Sequence, residues 1–179
     1  MVVLVMMLMT TSCKDDFLEV APTGSLANAQ LGSKAGVEGL LIGTYGALNG
    51  AFGNRFEAPS HWVTGSICGG EANKGTDPGD YSSINPVQRY ETDATQGDLN
   101  NLWRGRYEGV SRANAVLRLI SESPDLAAGD ATRMSAEARM LRGHFYFDLK
   151  KHFNNVPFVD EITPAAEVAA IPNSGDVWS

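Results

Sequence analysis

The sequence predicts an all-α fold, and three observations carry that expectation. Residues 98–122 and 130–153 each place apolar side chains at alternating spacings of three and four, the period of a helix that buries one face. Pro124 and Gly129 mark a short turn between them, and two long amphipathic helices joined this closely pack antiparallel by default. A third helical pattern stands earlier, at 33–52.

The chain opens MVVLVMMLMTTSCKDD, with no charge before Cys13. An apolar run of about a dozen residues is shorter than the roughly 20 a spanning helix needs. It has the length of a signal-peptide hydrophobic region, and it ends on small residues where a peptidase cuts. Residues 1–12 are therefore expected to be a signal peptide, with Cys13 acylated after cleavage. Thr10 stands where Leu is usual, and no Lys or Arg precedes Cys13, a gap that a start codon upstream of Met1 would explain. The competing reading is a buried strand built on Val2-Val3-Leu4-Val5. Residues 13–32 read as an extended leader, punctuated by Pro22, Gly24, Asn28 and Gly32.

In the 33–52 helix, Ser33 is the expected cap, and Val37, Leu40, Leu41, Thr44, Tyr45 and Leu48 share a face. Gly36, Gly39, Gly43 and Gly46 recur at spacings of three or four and predict a face that another helix approaches closely. From Gly53 to Gly97 the chain is crowded with Gly, Pro, Ser, Asn and Asp and keeps no period. Loops longer than about 12–15 residues are usually functional or disordered. Phe56, Trp62, Ile67, Tyr81, Ile84, Val87 and Tyr90 interrupt this one, and disordered segments are poor in aromatics. An ordered excursion that shapes a surface is expected.

Asp98 is the expected cap of the 98–122 helix. Its stripe runs through Leu99, Leu102 or Trp103, Tyr107, Val110, Asn114, Leu117 and Ile120. A buried amide left unbonded costs about 1–3 kcal/mol, so Asn114 is expected to bond a neighbouring backbone group. Trp103 falls at helical spacing and is read as core. Asp130 is the expected cap of the next helix, whose stripe is Met134, Ala138, Leu141, Phe145 and Leu149, widened by Tyr146 and Phe147. Asn154, Asn155 and Pro157 end it, and 158–179 reads as a connector.

The formal charge is −7 and no Lys/Arg cluster occurs. Nucleic acid is a poor partner for such a chain, because its affinity comes mainly from cations neutralising phosphates. Of two cysteines, Cys68 has no partner once Cys13 is acylated, and no zinc-ligand spacing appears. His144 and His152 lie eight apart rather than four, and His61 stands alone. Glu57, Glu71, Asp77, Asp80 and Glu91 supply carboxylates, but no spacing pairs them for glycoside hydrolysis. Glu71, Asn73, Asp77 and Asp80 could ring a calcium ion, yet Thr76 stands where an EF-hand needs Gly. No catalytic residue, metal or cofactor is predicted.

Four blocks carry a resemblance to a known family. Cys13-Lys14-Asp15-Asp16-Phe17-Leu18-Glu19 with Pro22, the Gly43-x-Tyr45-x-x-Leu48 signature and Trp103-x-x-x-Tyr107-x-x-Val110-x-x-Ala113-Asn114 come first. Glu137-Ala138-Arg139-Met140-Leu141-Arg142, running on to Tyr146-Phe147-x-Leu149 and Asn155-Val156-Pro157, completes them. In this order they resemble the SusD/RagB lipoproteins, surface nutrient-binding partners of TonB-dependent transporters.

The resemblance implies a SusD-like all-α fold: tetratricopeptide-type antiparallel helix pairs with a long irregular loop excursion, here 53–97, and with 33–179 as the N-terminal part of a longer helical domain. It implies an outer-membrane lipoprotein, exposed at the cell surface and held in lipid through Cys13. Lys14, Asp15 and Asp16 resemble the acidic export signal. The implied function is capture of a glycan or similar nutrient for a SusC-like TonB-dependent transporter, without catalysis. Family glycan sites draw on loops after the first helix, which makes Trp62, Tyr81, Asn85, Arg89 and Tyr90 the ligand candidates: aromatic faces stack on sugars while amides and guanidinium groups bond hydroxyls. The alternatives are a helical scaffold that holds a protein partner and binds no sugar, and a surface glycosidase.

Overall fold

The computed structural model describes residues 31–51, 57, 61–75, 77–123, 126–173 and 177. The expected signal peptide, Cys13, Lys14, Asp15 and Asp16 lie outside the described residues. Four α-helices order the rest: α1 (Lys34–Gly46), α2 (Ile84–Gln88), α3 (Gly97–Glu122) and α4 (Ala128–Phe153). A 3-10 turn at Ala47–Asn49 extends α1, a π-turn spans Trp62–Ile67, and a second 3-10 turn lies at Val168–Ala170. No strand occurs among the described residues, as the periodicity predicts. No described helix is long and apolar enough to cross a membrane.

Helices α3 and α4 form the frame. Arg106 pairs with Asp148, Gly109 faces Phe145, and Asn114 meets Arg142. As numbers rise on one helix they fall on the other, so the pair is antiparallel, as expected. Met134, Ala138, Leu141, Phe145 and Leu149 of α4 are buried against Val110, Val116 and Leu117 of α3, and Val37 and Leu41 of α1 close the layer. Phe147, expected to widen the stripe, is 48% exposed: it falls on the far face of α4, where Lys151 lies 5.2 Å from its ring centre.

The pair approaches closely because α3 carries glycine where α4 is bulkiest. A Cβ on Gly109 would stand 2.5 Å from the Phe145 ring, and one on Gly105 would stand 2.5 Å from the Glu57 carboxylate. The glycines of α1 do no such work. A Cβ on Gly39, Gly43 or Gly46 meets nothing within 4 Å, so the expected close approach along α1 is overturned at those positions.

Ser33 caps α1 as predicted, its hydroxyl accepting from the Gly36 amide at 3.1 Å. The other two expected caps differ. Gln96 precedes α3, and its amide oxygen accepts from the Asp98 N–H at 2.6 Å, while the Asp98 carboxylate serves long-range partners. Ala127 precedes α4 with no side-chain cap, and Asp130, in the first turn, instead bonds Lys34 of α1 at 2.7 Å. Arg133 adds Glu38 at 2.7 Å, and Arg112 donates to the Gly43 carbonyl at 2.9 Å. Exposed pairs of this kind add little stability individually; they set where α1 lies along the frame.

The glycine contrast is testable. Gly109→Ala is expected to destabilise the chain by about 1–3 kcal/mol, the usual cost of overpacking. Gly43→Ala, with open space around it, is expected to stabilise by up to about 1 kcal/mol through helix propensity. Urea midpoints shifting in the same direction for both would contradict the contact at Phe145.

Candidate functional site

The described part of the excursion is an ordered annexe with its own small core. Val63 and Ile67 of the π-turn, Ile84 and Val87 of α2, and Leu102 of α3 are buried together. Trp62, Cys68, Tyr81, Leu99 and Phe153 ring this cluster, half-buried. His61, Tyr81 and Tyr90 have positive φ, +49°, +42° and +59°, a conformation uncommon outside glycine.

Asp98 fastens the annexe to α3. Its two carboxylate oxygens accept from the Tyr81 hydroxyl at 2.6 Å and the Ser83 hydroxyl at 2.9 Å. Gln96 donates to the Ser83 carbonyl at 2.8 Å. The loop at 73–80 closes on itself. Lys74 donates to the carbonyls of Asp77 and Asp80, and the Asp77 carboxylate accepts from the Gly79 and Asp80 amides.

The five ligand candidates separate. Trp62 and Tyr81 face the small core. Asn85 donates to the Pro78 carbonyl at 3.4 Å, and exposed Arg89 pairs with Glu91 at 2.7 Å. Tyr90 lines a concavity. It is 75% exposed, its hydroxyl donates to the Cys68 carbonyl, and its ring borders a cavity of about 380 Å3 shared with Ile67, Gly70, Glu71, Ala72, Asn73 and Gln88. Gln88 had no distinguishing signal in the sequence. Glu71 and Asn73 stood out there as possible calcium ligands, and Glu71 also as one of the loop carboxylates.

A larger groove of about 650 Å3 lies between α3 and the connector. It exists because side chains of the frame bond the connector's backbone. Tyr107 donates to the Pro157 carbonyl at 2.7 Å, and Asn114 to the Val159 carbonyl at 3.0 Å, the partner its burial demands. Tyr146 donates to the Val159 carbonyl and accepts from the Val159 amide, at 2.8 and 2.6 Å. Burial pushes the Tyr146 phenol up to about 12, so it stays neutral and able to donate. Arg142 bonds both Asn114 and Glu161. Burial opposes ionisation of Glu161, but Arg142 outweighs it and holds the carboxyl below its usual value. The Thr163 hydroxyl does the same for Asp160.

The third polar feature lies where the π-turn meets α4. Asp148, buried on α4, bonds Arg106 of α3, with each side chain 2% exposed. Arg106 also reaches the Glu57 carbonyl at 3.4 Å. His61 does not stand alone, as the sequence suggested. Its ring stacks on His152, 5.9 Å between centres and 17° from parallel. Burial lowers its pKa despite the pull of Asp148. For Asp148 burial acts the other way, but Arg106 and the two histidines outweigh it and hold the carboxyl below its usual value.

Comparison with known proteins adds a family. A family model described as SusD-like, "Starch-binding associating with outer membrane", matches residues 16–172. A SusD-like protein of Bacteroides ovatus is 25% identical over 157 residues, covering 86% of this chain and 27% of that protein. The chain thus spans about a quarter of that relative's length. No solved structure matches the chain.

The connector supplies a pH prediction. Asp160 and Glu161 have native values below their unfolded ones, about 3.8 and 4.5, so they stabilise the fold above those values. That stability is lost as pH falls through the lower native values. Urea midpoints are expected to decline below about pH 4.5, less steeply in Glu161→Gln; an identical decline in the variant would remove Glu161 from the account.

Proposed function

We propose, from the premise that this chain belongs to the SusD-like family, that it captures a glycan on the annexe formed by residues 61–91 and serves as a binding protein without catalysis. The observation that supports this most is Tyr90: an aromatic ring held open to solvent beside Glu71, Asn73 and Gln88. Sugars present apolar C–H faces that stack on such rings, and ringed hydroxyls that bond amides and carboxylates. Tethering the Tyr90 hydroxyl to the Cys68 carbonyl fixes the ring before a ligand arrives, which lowers the ordering cost of binding. In this reading Asn85 and Arg89 form the outer edge of the site, and Trp62 and Tyr81 hold the platform on which Tyr90 stands.

The family's description as starch-binding and outer-membrane-associating supports a place at the outer membrane. There the chain is anchored in lipid through Cys13, routed to the surface by Lys14, Asp15 and Asp16, and hands its glycan to a SusC-like TonB-dependent transporter. A second reading, a scaffold holding a protein partner, draws support from the 650 Å3 groove, whose lining includes Ile162, 81% exposed.

Affinity electrophoresis through gels containing starch or other glycans tests the main reading. Retardation by at least one glycan is expected, with Tyr90→Ala weakening it about tenfold, the effect of roughly 1.4 kcal/mol. Wild-type mobility unchanged by every glycan would favour the protein-partner reading. Wild-type retardation that survives in Tyr90→Ala would move the site elsewhere. The anchor is tested separately: Cys13→Ala is expected to abolish incorporation of a fatty-acid label in cells, and continued labelling would refute it.

A further inference from the structure

Between the π-turn and α4 lies a set of side chains that glycan capture does not use. Asp148 spends one carboxylate oxygen, Oδ2, on Arg106. The other, Oδ1, faces His61 Nε2 at 3.8 Å, His152 Nδ1 at 3.7 Å and Lys151 Nζ at 3.7 Å. All three distances exceed a hydrogen bond. Three nitrogens therefore converge on one buried carboxylate oxygen and stop short of it. One donor atom from each of His61, Asp148 and His152 lies within 4.8 Å of the others.

We propose that His61, Asp148 and His152 bind a divalent transition metal of the zinc class and so pin the π-turn to the end of α4. Zinc holds imidazole nitrogen and carboxylate oxygen at about 2.0–2.2 Å, which sets donors of a tetrahedral site roughly 3.3–3.6 Å apart. The carboxylate-to-histidine separations need to close by only a few tenths of an ångström. Two imidazoles with one carboxylate select zinc, copper or nickel over calcium and magnesium, which prefer oxygen alone. Water completes the coordination.

The surroundings fit a ligating carboxylate. Arg106 on Oδ2 keeps Asp148 ionised and oriented, as outer partners of metal-bound carboxylates do. The opposing charge is Lys151, whose side chain is about half exposed and can turn to solvent. His152 Nδ1 also lies 2.8 Å from the Asp148 carbonyl oxygen, so coordination through Nδ1 exchanges that contact for the metal.

The test is calorimetric titration of zinc chloride into the full chain after chelator treatment. One bound equivalent is expected. His61→Gln and His152→Gln should each weaken it about tenfold or more. Lys151→Gln should tighten it, and His144→Gln, on the exposed face of α4, should leave it unchanged. Absence of zinc binding, or equal binding in His61→Gln, overturns the proposal, as does weaker binding in Lys151→Gln. If a histidine variant loses its helical circular dichroism, cobalt on the unmodified chain decides. Intense visible bands of a tetrahedral site, displaced by zinc but not by calcium, support the assignment, and their absence overturns it.

Discussion

Arg106 and Asp148 carry opposite full charges into a layer from which water is almost excluded, and each compensates the other. Removing either partner of such a pair typically costs about 3–5 kcal/mol, because the survivor is left buried and uncompensated. The pair therefore constrains more than itself. It fixes the register of α3 against α4, and the guanidinium reaches on to the Glu57 carbonyl. The second carboxylate oxygen looks out toward His61 and His152. Chain leaving α1, the π-turn and both long helices thus converge on one buried charge pair.

Beside this pair, along the connector, a different constraint operates. Between Asn154 and Asp160 the connector has neither helix nor strand to satisfy its carbonyls and amides, yet it lies against a buried surface, where unpaired backbone groups are costly. Tyr107, Asn114 and Tyr146 supply the missing partners from positions that otherwise belong to apolar stripes. Three such side chains are enough to hold this irregular segment in place, and the groove between α3 and the connector follows from it.

What could be read from the sequence divides along range. The stripes of α3 and α4, the cap at Ser33 and the need of Asn114 for a backbone partner all follow from local spacing or a single desolvation argument. Asp98 and Asp130 have cap chemistry too, but tertiary partners drew them away: Tyr81 and Ser83 for one, Lys34 for the other. The glycines of α1 looked like a packing face because spacing records smallness without recording what stands opposite. Gly105 and Gly109 received no such reading, although Glu57 and the Phe145 ring press on them. His61 looked solitary because His152 is far away in sequence. The ligand candidates have the right chemical types, and the fold distributes them: Tyr90 borders a cavity, while Trp62 and Tyr81 pack against the small core.

Gly109 against Phe145 has a mechanical meaning as well as a packing one. The contact lies near the middle of α3, and the distance between packed helices depends on the side chains at their contact. Arg106 with Asp148 on one side of this point, and Asn114 with Arg142 on the other, hold the two helices at the spacing it sets. The annexe packs on α3 before this point, at Leu99 and Leu102, while the connector is bonded on both sides of it, by Tyr107 and by Asn114. A bare α-carbon thus sets the separation of the two helices on which both the annexe and the connector are built.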